Sequence, residues 1–224
     1  MNRRAHGVVL LEQRHVVTGA SELPRAIESG GPSADDDHIV DGHLRPERTA
    51  GARVALARSE NNLALVLMAR GDLGSARRHL DRSLDLCDEA DLEFGRSHVL
   101  LSLCELSMQE DKVEKAYELA QRALELAERL EEGASVAEAH VWLGRIADRR
   151  GEHDTTDREF ADAIRGFDVL GMRERLLQCH GLYAEILERR GELARAYVHM
   201  KEALQATRPE IFRRAEEEER VSSA

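Results

Sequence analysis

The chain has 224 residues, of which 42% are apolar and 33% charged, and its formal net charge at pH 7 is −11. That length allows a substantial buried core, whereas the negative charge argues against direct nucleic acid binding, which needs a cationic face. No apolar run approaches the roughly 20 residues of a membrane span, and three widely spaced cysteines predict no disulfide framework, so we expect a cytoplasmic protein.

The first 45 residues differ from the rest of the chain. A glycine-glycine-proline cluster at 30–32 precedes an aspartate run at 35–37, which favours a flexible connector. The short apolar stretches at 8–17 and 22–28 fit a helix or a strand equally well. We therefore predict an irregular or flexible N-terminal segment over 1–45.

A repeat follows, beginning where Pro46 and an adjacent acid are typical of a helix start. Six columns recur every 40 residues in one register. Turn positions are Gly71, Asp111, Gly151 and Gly191, and small residues follow at Ala76, Ala116, Thr156 and Ala196. Large residues lie before each turn at Leu63, Leu103, Leu143 and Tyr183, next to small ones at Ala64, Cys104, Gly144 and Ala184. The last two columns are Leu80, Ala120, Phe160 and Met200, and Ser83, Ala123, Ala163 and Ala203.

This spacing predicts a helix, a tight turn and a second helix in each unit. Small side chains at matching positions of the two helices allow them to approach closely. Because a single hairpin cannot cover its own apolar face, consecutive units are expected to stack into a solenoid over 46–208. The predicted repeats are approximately 51–90, 91–131, 132–170 and 171–208.

The repeat resembles the tetratricopeptide family over about residues 50–208. Asn62-Leu63-Ala64 and Trp142-Leu143-Gly144 are similar to the first-helix motif of that family, and Gly71-Asp72-Leu73 and Gly191-Glu192-Leu193 are similar to its turn. The second-helix alanines also match, at Ala76, Ala116, Ala196, Ala123, Ala163 and Ala203. The period of 40 exceeds the usual length of about 34 residues, so longer helices are expected.

The resemblance implies an all-α, right-handed solenoid of about four hairpins. Long-period arrays of this kind resemble the sensor or scaffold modules of bacterial multidomain regulators, some of which carry a separate helix-turn-helix domain. No such DNA-binding segment is visible in this sequence. After Pro209, the polar run that includes Glu216 to Glu219 predicts a C-terminal capping helix and tail over 209–224.

No motif in the sequence predicts catalysis, a cofactor or a metal. Ten histidines include no His-Glu-x-x-His pair, and the adjacent Cys179 and His180 would point about 100° apart on a helix. A calcium loop starting at Asp37 fails at Ile39 and Arg48, where ligands are required. There is no glycine-rich phosphate loop and no nucleophile elbow, so we expect a protein that is not an enzyme.

The resemblance also implies that the first helices line a concave groove. Positions at spacing +3, +4, +3 are expected to face it, with Glu138, Val141, Gln178, Gly181, Glu185 and Glu188 in the later repeats. The candidate partner-binding residues are Arg58, Asn61, Asn62, Leu65, Met68, His98, Leu101, Glu105, Met108, Arg145 and Asp148. Asparagine amides can bond a peptide backbone and methionines can adapt to varied side chains, although methionines that merely fill the core would look the same.

Two functions are consistent with these features. The first is a binding scaffold that holds a protein or peptide segment in the groove of a regulatory system. The second is a homo-oligomerising scaffold without a groove ligand. In that case we expect the first helix, with Val54, Leu56, Leu63 and Val66, to pack on a partner subunit as a homodimer, and an upstream domain is the alternative cover for the same residues.

Overall fold

The computed structural model describes residues 46–89, 93 and 95–207, and every regular element in those ranges is an α-helix. The helices are α1 (Pro46–Ala69), α2 (Leu73–Glu89), α3 (Arg96–Gln109), α4 (Val113–Arg129), α5 (Gly133–Arg150), α6 (His153–Val169), α7 (Arg173–Arg189) and α8 (Leu193–Thr207). None of these helices is both long enough and apolar enough to cross a bilayer. The predicted N-terminal segment 1–45 and C-terminal cap 209–224 lie outside the described residues.

The helices pair as four hairpins, α1 with α2, α3 with α4, α5 with α6 and α7 with α8. The second helix of each hairpin contacts the first helix of the next, and α3 also contacts both α1 and α5. The predicted all-helical repeat fold is therefore confirmed. Since neighbouring units bury one another, most of α3 and α5 lies inside the stack.

The turn within each hairpin follows from one left-handed residue. Gly71, Asp111, Gly151 and Gly191 have φ angles of 80°, 60°, 77° and 80°. The next amide donates back to a carbonyl five residues earlier, as Asp72 N does to Leu67 O at 2.9 Å, which closes the helix end in a Schellman pattern. Glycine adopts this conformation without strain, whereas Asp111 adopts it at an energetic cost.

Small residues bring the two helices of each hairpin together. Ala64, Cys104, Gly144 and Ala184 are all buried. The third hairpin has glycine at this position because its second helix carries the largest side chain in the facing column, Phe160. A Cβ at Gly144 would lie 2.8 Å from Cδ2 of Phe160. The two positions are thus matched in size.

Candidate binding surface

The exposed sides of α3 and α5 are narrow, because neighbouring helices cover the other sides of both. Only His98 and Gln109 are exposed on α3, and only Arg149 on α5. On α1 and α7, Arg58 and Gln178 are exposed at the register position of His98, and Arg189 is exposed at that of Arg149. Asn62 lies one turn after Arg58, and Glu185 lies two turns after Gln178, so both share the same side of their helices. We define the first-helix wall as Arg58, Asn62, His98, Gln109, Arg149, Gln178, Glu185 and Arg189, all of which are exposed.

The candidate groove residues divide into three groups in the structure. Arg58, Asn62 and His98 are exposed on the wall. Five are half-buried beside it, namely Asn61, Leu65, Met108, Arg145 and Asp148. Met68, Leu101 and Glu105 are buried, so these side chains pack in the interior and offer little surface to a ligand. Met68 and Leu101 belong to one buried apolar cluster that extends from α1 to α5, which differs from the exposure expected of groove residues.

Three wall residues are absent from the groove predicted by sequence. Gln109, Arg149 and Arg189 occupy the last exposed position of their helices, one residue after the positions of Met108, Asp148 and Glu188. A +7, +4 spacing from His98 leads to Gln109, whereas the +3, +4, +3 spacing leads to Met108. The sequence does contain a sign of this exposed position. The residue after Met108, Asp148 and Glu188 is polar in each case, and only the first unit has an alanine there, Ala69.

Ion pairs join the first helices of the last two repeats, and one of them includes the wall residue Arg189. Arg175 Nη2 lies 3.2 Å from Glu138 Oε2, and Arg189 Nη2 lies 2.5 Å from Asp148 Oδ2. The Arg145 guanidinium lies 4.2 Å from the centre of the Trp142 ring. The two ion pairs join α7 to α5, whereas the contact between Arg145 and Trp142 lies within α5. By contrast, no ion pair within the described residues engages Arg58 or His98.

A second set of contacts joins each unit to the one before it. In the last three units, the residue at the end of the first helix contacts the second helix of the preceding unit. The contacted residues, Arg77, Tyr117 and Asp157, are 40 residues apart and are therefore equivalent. Glu110 accepts a bond from Arg77 at 2.6 Å, Arg150 lies 4.2 Å above the Tyr117 ring, and Arg190 lies 2.9 Å from Asp157. The same structural position therefore holds three kinds of contact in successive units: an ion pair with the acid on the later unit, a cation–π contact, and an ion pair with the base on the later unit.

Histidines occupy a shared position between the two helices of several hairpins. His140 Nδ1 lies 2.7 Å from Glu159, and that hydrogen bond raises the pKa of His140. In the last hairpin, His180 Nδ1 and His199 Nδ1 lie 2.9 Å apart. Burial lowers the pKa of both imidazoles below the ordinary value of 6.5, although nearby acids partly oppose the shift. Two protonated rings cannot share this hydrogen bond, since both nitrogens would be donors.

The histidine pair predicts a loss of stability in mild acid. The unfolded chain binds protons as the pH falls through 6.5, whereas the folded pair stays neutral to a lower pH. The free energy of unfolding should therefore fall between about pH 7.5 and about pH 5.5. His180→Gln combined with His199→Gln should make this fall shallower in urea titrations. His140, whose raised pKa contributes stability below 6.5, opposes the trend. An unchanged slope in the double variant would contradict the prediction.

The described residues offer little reactive chemistry. Cys87, Cys104 and Cys179 are free and buried, and burial raises the pKa of Cys104 and Cys179 to about 12. Within the described ranges, no three His, Cys, Asp or Glu side chains converge to hold a metal ion. A cleft of about 250 Å³ lies between α4, α5 and α6, and its lining includes apolar residues such as Leu143 and Ile146 as well as carboxylates such as Glu125 and Glu159. The cleft belongs to the packing of two neighbouring hairpins.

Solved structures of other proteins resemble this chain in fold, at low sequence identity. The crystal structure of BtubC (BKLC) from P. vanneervenii aligns with a TM-score of 0.54 and 16% identity, over 73% of this chain and 74% of that chain. The crystal structure of MamA aligns with a TM-score of 0.48 and 18% identity, over 74% of this chain and 86% of that chain. No family model matches the sequence, and no curated protein matches it. By its fold, the chain is a helical-repeat protein.

Proposed function

We propose that this chain is a non-catalytic scaffold of tetratricopeptide type that binds a protein or peptide segment along the first-helix wall. The observation that carries the proposal is the exposure of Arg58, Asn62 and His98 on two adjacent first helices, the second of which, α3, is packed at almost every other position. Exposed polar groups on a rigid helical stack are already positioned for a ligand, which reduces the entropy lost on binding.

Charge on the wall suggests which segment would bind. The first two repeats present Arg58, Asn62, His98 and Gln109, whereas the last repeat presents Glu185 and Arg189. A segment with carboxylates would meet donors at the N-terminal end of the wall. We further propose that the chain acts in the cytoplasm as the interaction module of a bacterial regulatory system, a role suggested by its long repeat period.

The proposal predicts that wall substitutions weaken peptide binding. A library of phage-displayed random peptides, selected on the immobilised full chain, provides ligands of known sequence. Arg58→Glu combined with His98→Glu should weaken the selected peptides at least about tenfold, or about 1.4 kcal/mol, because both donors become repulsive to carboxylates. Fluorescence anisotropy with labelled peptides measures the change.

A matched control carries the same change in charge on the second helices. Arg78 and Val198 are exposed at a register position that is exposed in every repeat, so Arg78→Glu combined with Val198→Glu should bind the peptides as the wild type does. Equal weakening in both variants would indicate a general charge effect. Full binding by the wall variant would exclude the first-helix wall as the binding site.

A further inference from the structure

The N-terminal end of the stack exposes apolar residues that are buried in every other unit. Leu63 is 44% exposed, and Val66 is 46% exposed. The residues equivalent to Leu63 are 3–8% exposed, at Leu103 (5%), Leu143 (8%) and Tyr183 (3%). The residues equivalent to Val66 are Leu106 (0%), Ile146 (0%) and Ile186 (4%). In those units a preceding hairpin is present, so the front face, Leu63, Val66 and Arg70, has the composition of a covered surface.

The C-terminal end shows the complementary feature. Met200 is 48% exposed on α8, whereas its equivalents Leu80, Ala120 and Phe160 are 0% exposed. Tyr197 is 70% exposed, while the equivalent Tyr117 is half-buried beneath Arg150 of the next unit. We define the back face as Glu188, Tyr197 and Met200. It corresponds to surface that the following hairpin covers at internal junctions.

The register that joins neighbouring units also relates the two faces to each other. Arg150 contacts Tyr117, and Arg190 contacts both Asp157 and Asp148. In the 40-residue register, the residue equivalent to Arg150 and Arg190 on the front face is Arg70. On the back face, Tyr197 is equivalent to Tyr117 and Asp157, and Glu188 is equivalent to Asp148. Placing one after the other would set an arginine over a tyrosine, as in Arg150 with Tyr117, and beside a carboxylate, as in Arg190 with Asp148.

We propose that a second copy of this chain docks head to tail, with the front face of one copy on the back face of the next. The junction repeats the internal packing: an apolar contact made by Leu63, Val66 and Met200, and a polar contact of Arg70 with Tyr197 and Glu188. Within the described residues, Arg70 and Glu188 form no ion pair, so both charges are available for this contact. Such an interface is heterologous, and it extends into an open chain of copies rather than closing as a symmetric dimer. It uses residues distinct from Arg58 and His98 on the wall.

Sedimentation velocity of the full-length protein tests this docking. The mass of one chain is 25.1 kDa. The weight-average mass of the wild type should rise beyond that of a dimer between about 1 and about 200 µM, a range that covers interfaces of modest affinity. Val66→Glu combined with Arg70→Glu blocks the front, and Tyr197→Ala combined with Met200→Glu blocks the back. Each blocked variant alone should stay monomeric with an unchanged circular dichroism spectrum.

A mixture of the two blocked variants tests directly whether the front face of one copy binds the back face of another. Each retains the face that the other lacks, so an equimolar mixture should form a one-to-one dimer and nothing larger. The control Val198→Glu, at a position exposed in every repeat, should assemble as the wild type does. A back-blocked variant that dimerises alone would show a front-to-front contact and overturn the proposal. A wild type that is monomeric throughout would also overturn it, and truncation at residue 45 or 208 would then show whether a terminal segment covers an end.

Discussion

Replacing Phe160 by alanine is expected to lower the free energy of unfolding by about 3–5 kcal/mol, the largest effect of any single truncation considered. Phe160 has no exposed surface, and its ring stacks on Tyr183 with centroids 4.8 Å apart and planes 6° apart. The side chain also fills the space opposite Gly144. Its removal leaves a cavity where the third hairpin meets the fourth.

Urea unfolding followed by circular dichroism measures this loss. Val169→Ala, on the same helix but 85% exposed, should change stability by less than about 0.5 kcal/mol. Gly144→Ala in the wild type should cost about 1–3 kcal/mol, because the new methyl group overlaps the Phe160 ring. With Phe160→Leu also present, Gly144→Ala should cost less, and that coupling distinguishes size matching from a general loss of packing. Strict additivity of the two changes would contradict the size match.

Replacing Arg190 by methionine is expected to cost about 2–3 kcal/mol, since it removes a buried cation from two carboxylates. The Arg190 side chain is 7% exposed and lies 3.3 Å from Asp148 and 2.9 Å from Asp157. Burial alone would raise the pKa of Asp157, but hydrogen bonds from Arg195, Tyr183 and Arg190 outweigh it and lower that pKa. Arg189 and Arg195 remain beside the carboxylates, which limits the loss.

The matched control for Arg190 is Arg173, an exposed arginine at the start of α7. Arg173→Met should change the free energy of unfolding by less than about 0.5 kcal/mol. Arg190→Lys should recover only part of the stability, because an ammonium group cannot bridge two carboxylates as a planar guanidinium does. If Arg190→Met were as stable as Arg173→Met in urea titrations, the junction between the last two hairpins would not depend on this contact.

The repeat and its turns could be predicted from the sequence because both follow from local chemistry. The 40-residue period determined the order of helices, and the left-handed turn falls at each predicted position, including Asp111, which is not a glycine. The burial of small residues such as Ala64 and Cys104 follows from the same register. These features require only the preferences of residues near one another in the chain.

Which residues of the first helices are exposed could not be predicted from the sequence in the same way. Spacings of +3, +4, +3 and +7, +4 both lie on one side of an α-helix, so periodicity alone does not decide between Met108 and Gln109. The choice depends on how closely α1, α3 and α5 pack, which also buries Met68 and Leu101. The contacts of Glu110, Arg150 and Arg190 with the preceding unit could not be predicted from the sequence either. The three pairs occupy one structural position but differ in chemistry, so they show no common sequence pattern.

The most direct test of binding along the first-helix wall is site-specific photocrosslinking. A photoreactive amino acid is placed at position 98 on the wall, at position 118 on the exposed side of α4, or at position 197 on the back face. Each full-length variant is irradiated with the selected peptides and analysed by mass spectrometry. Our account predicts a peptide crosslink from position 98 and none from positions 118 and 197. Peptide crosslinks from position 118 or 197, with none from 98, would contradict it.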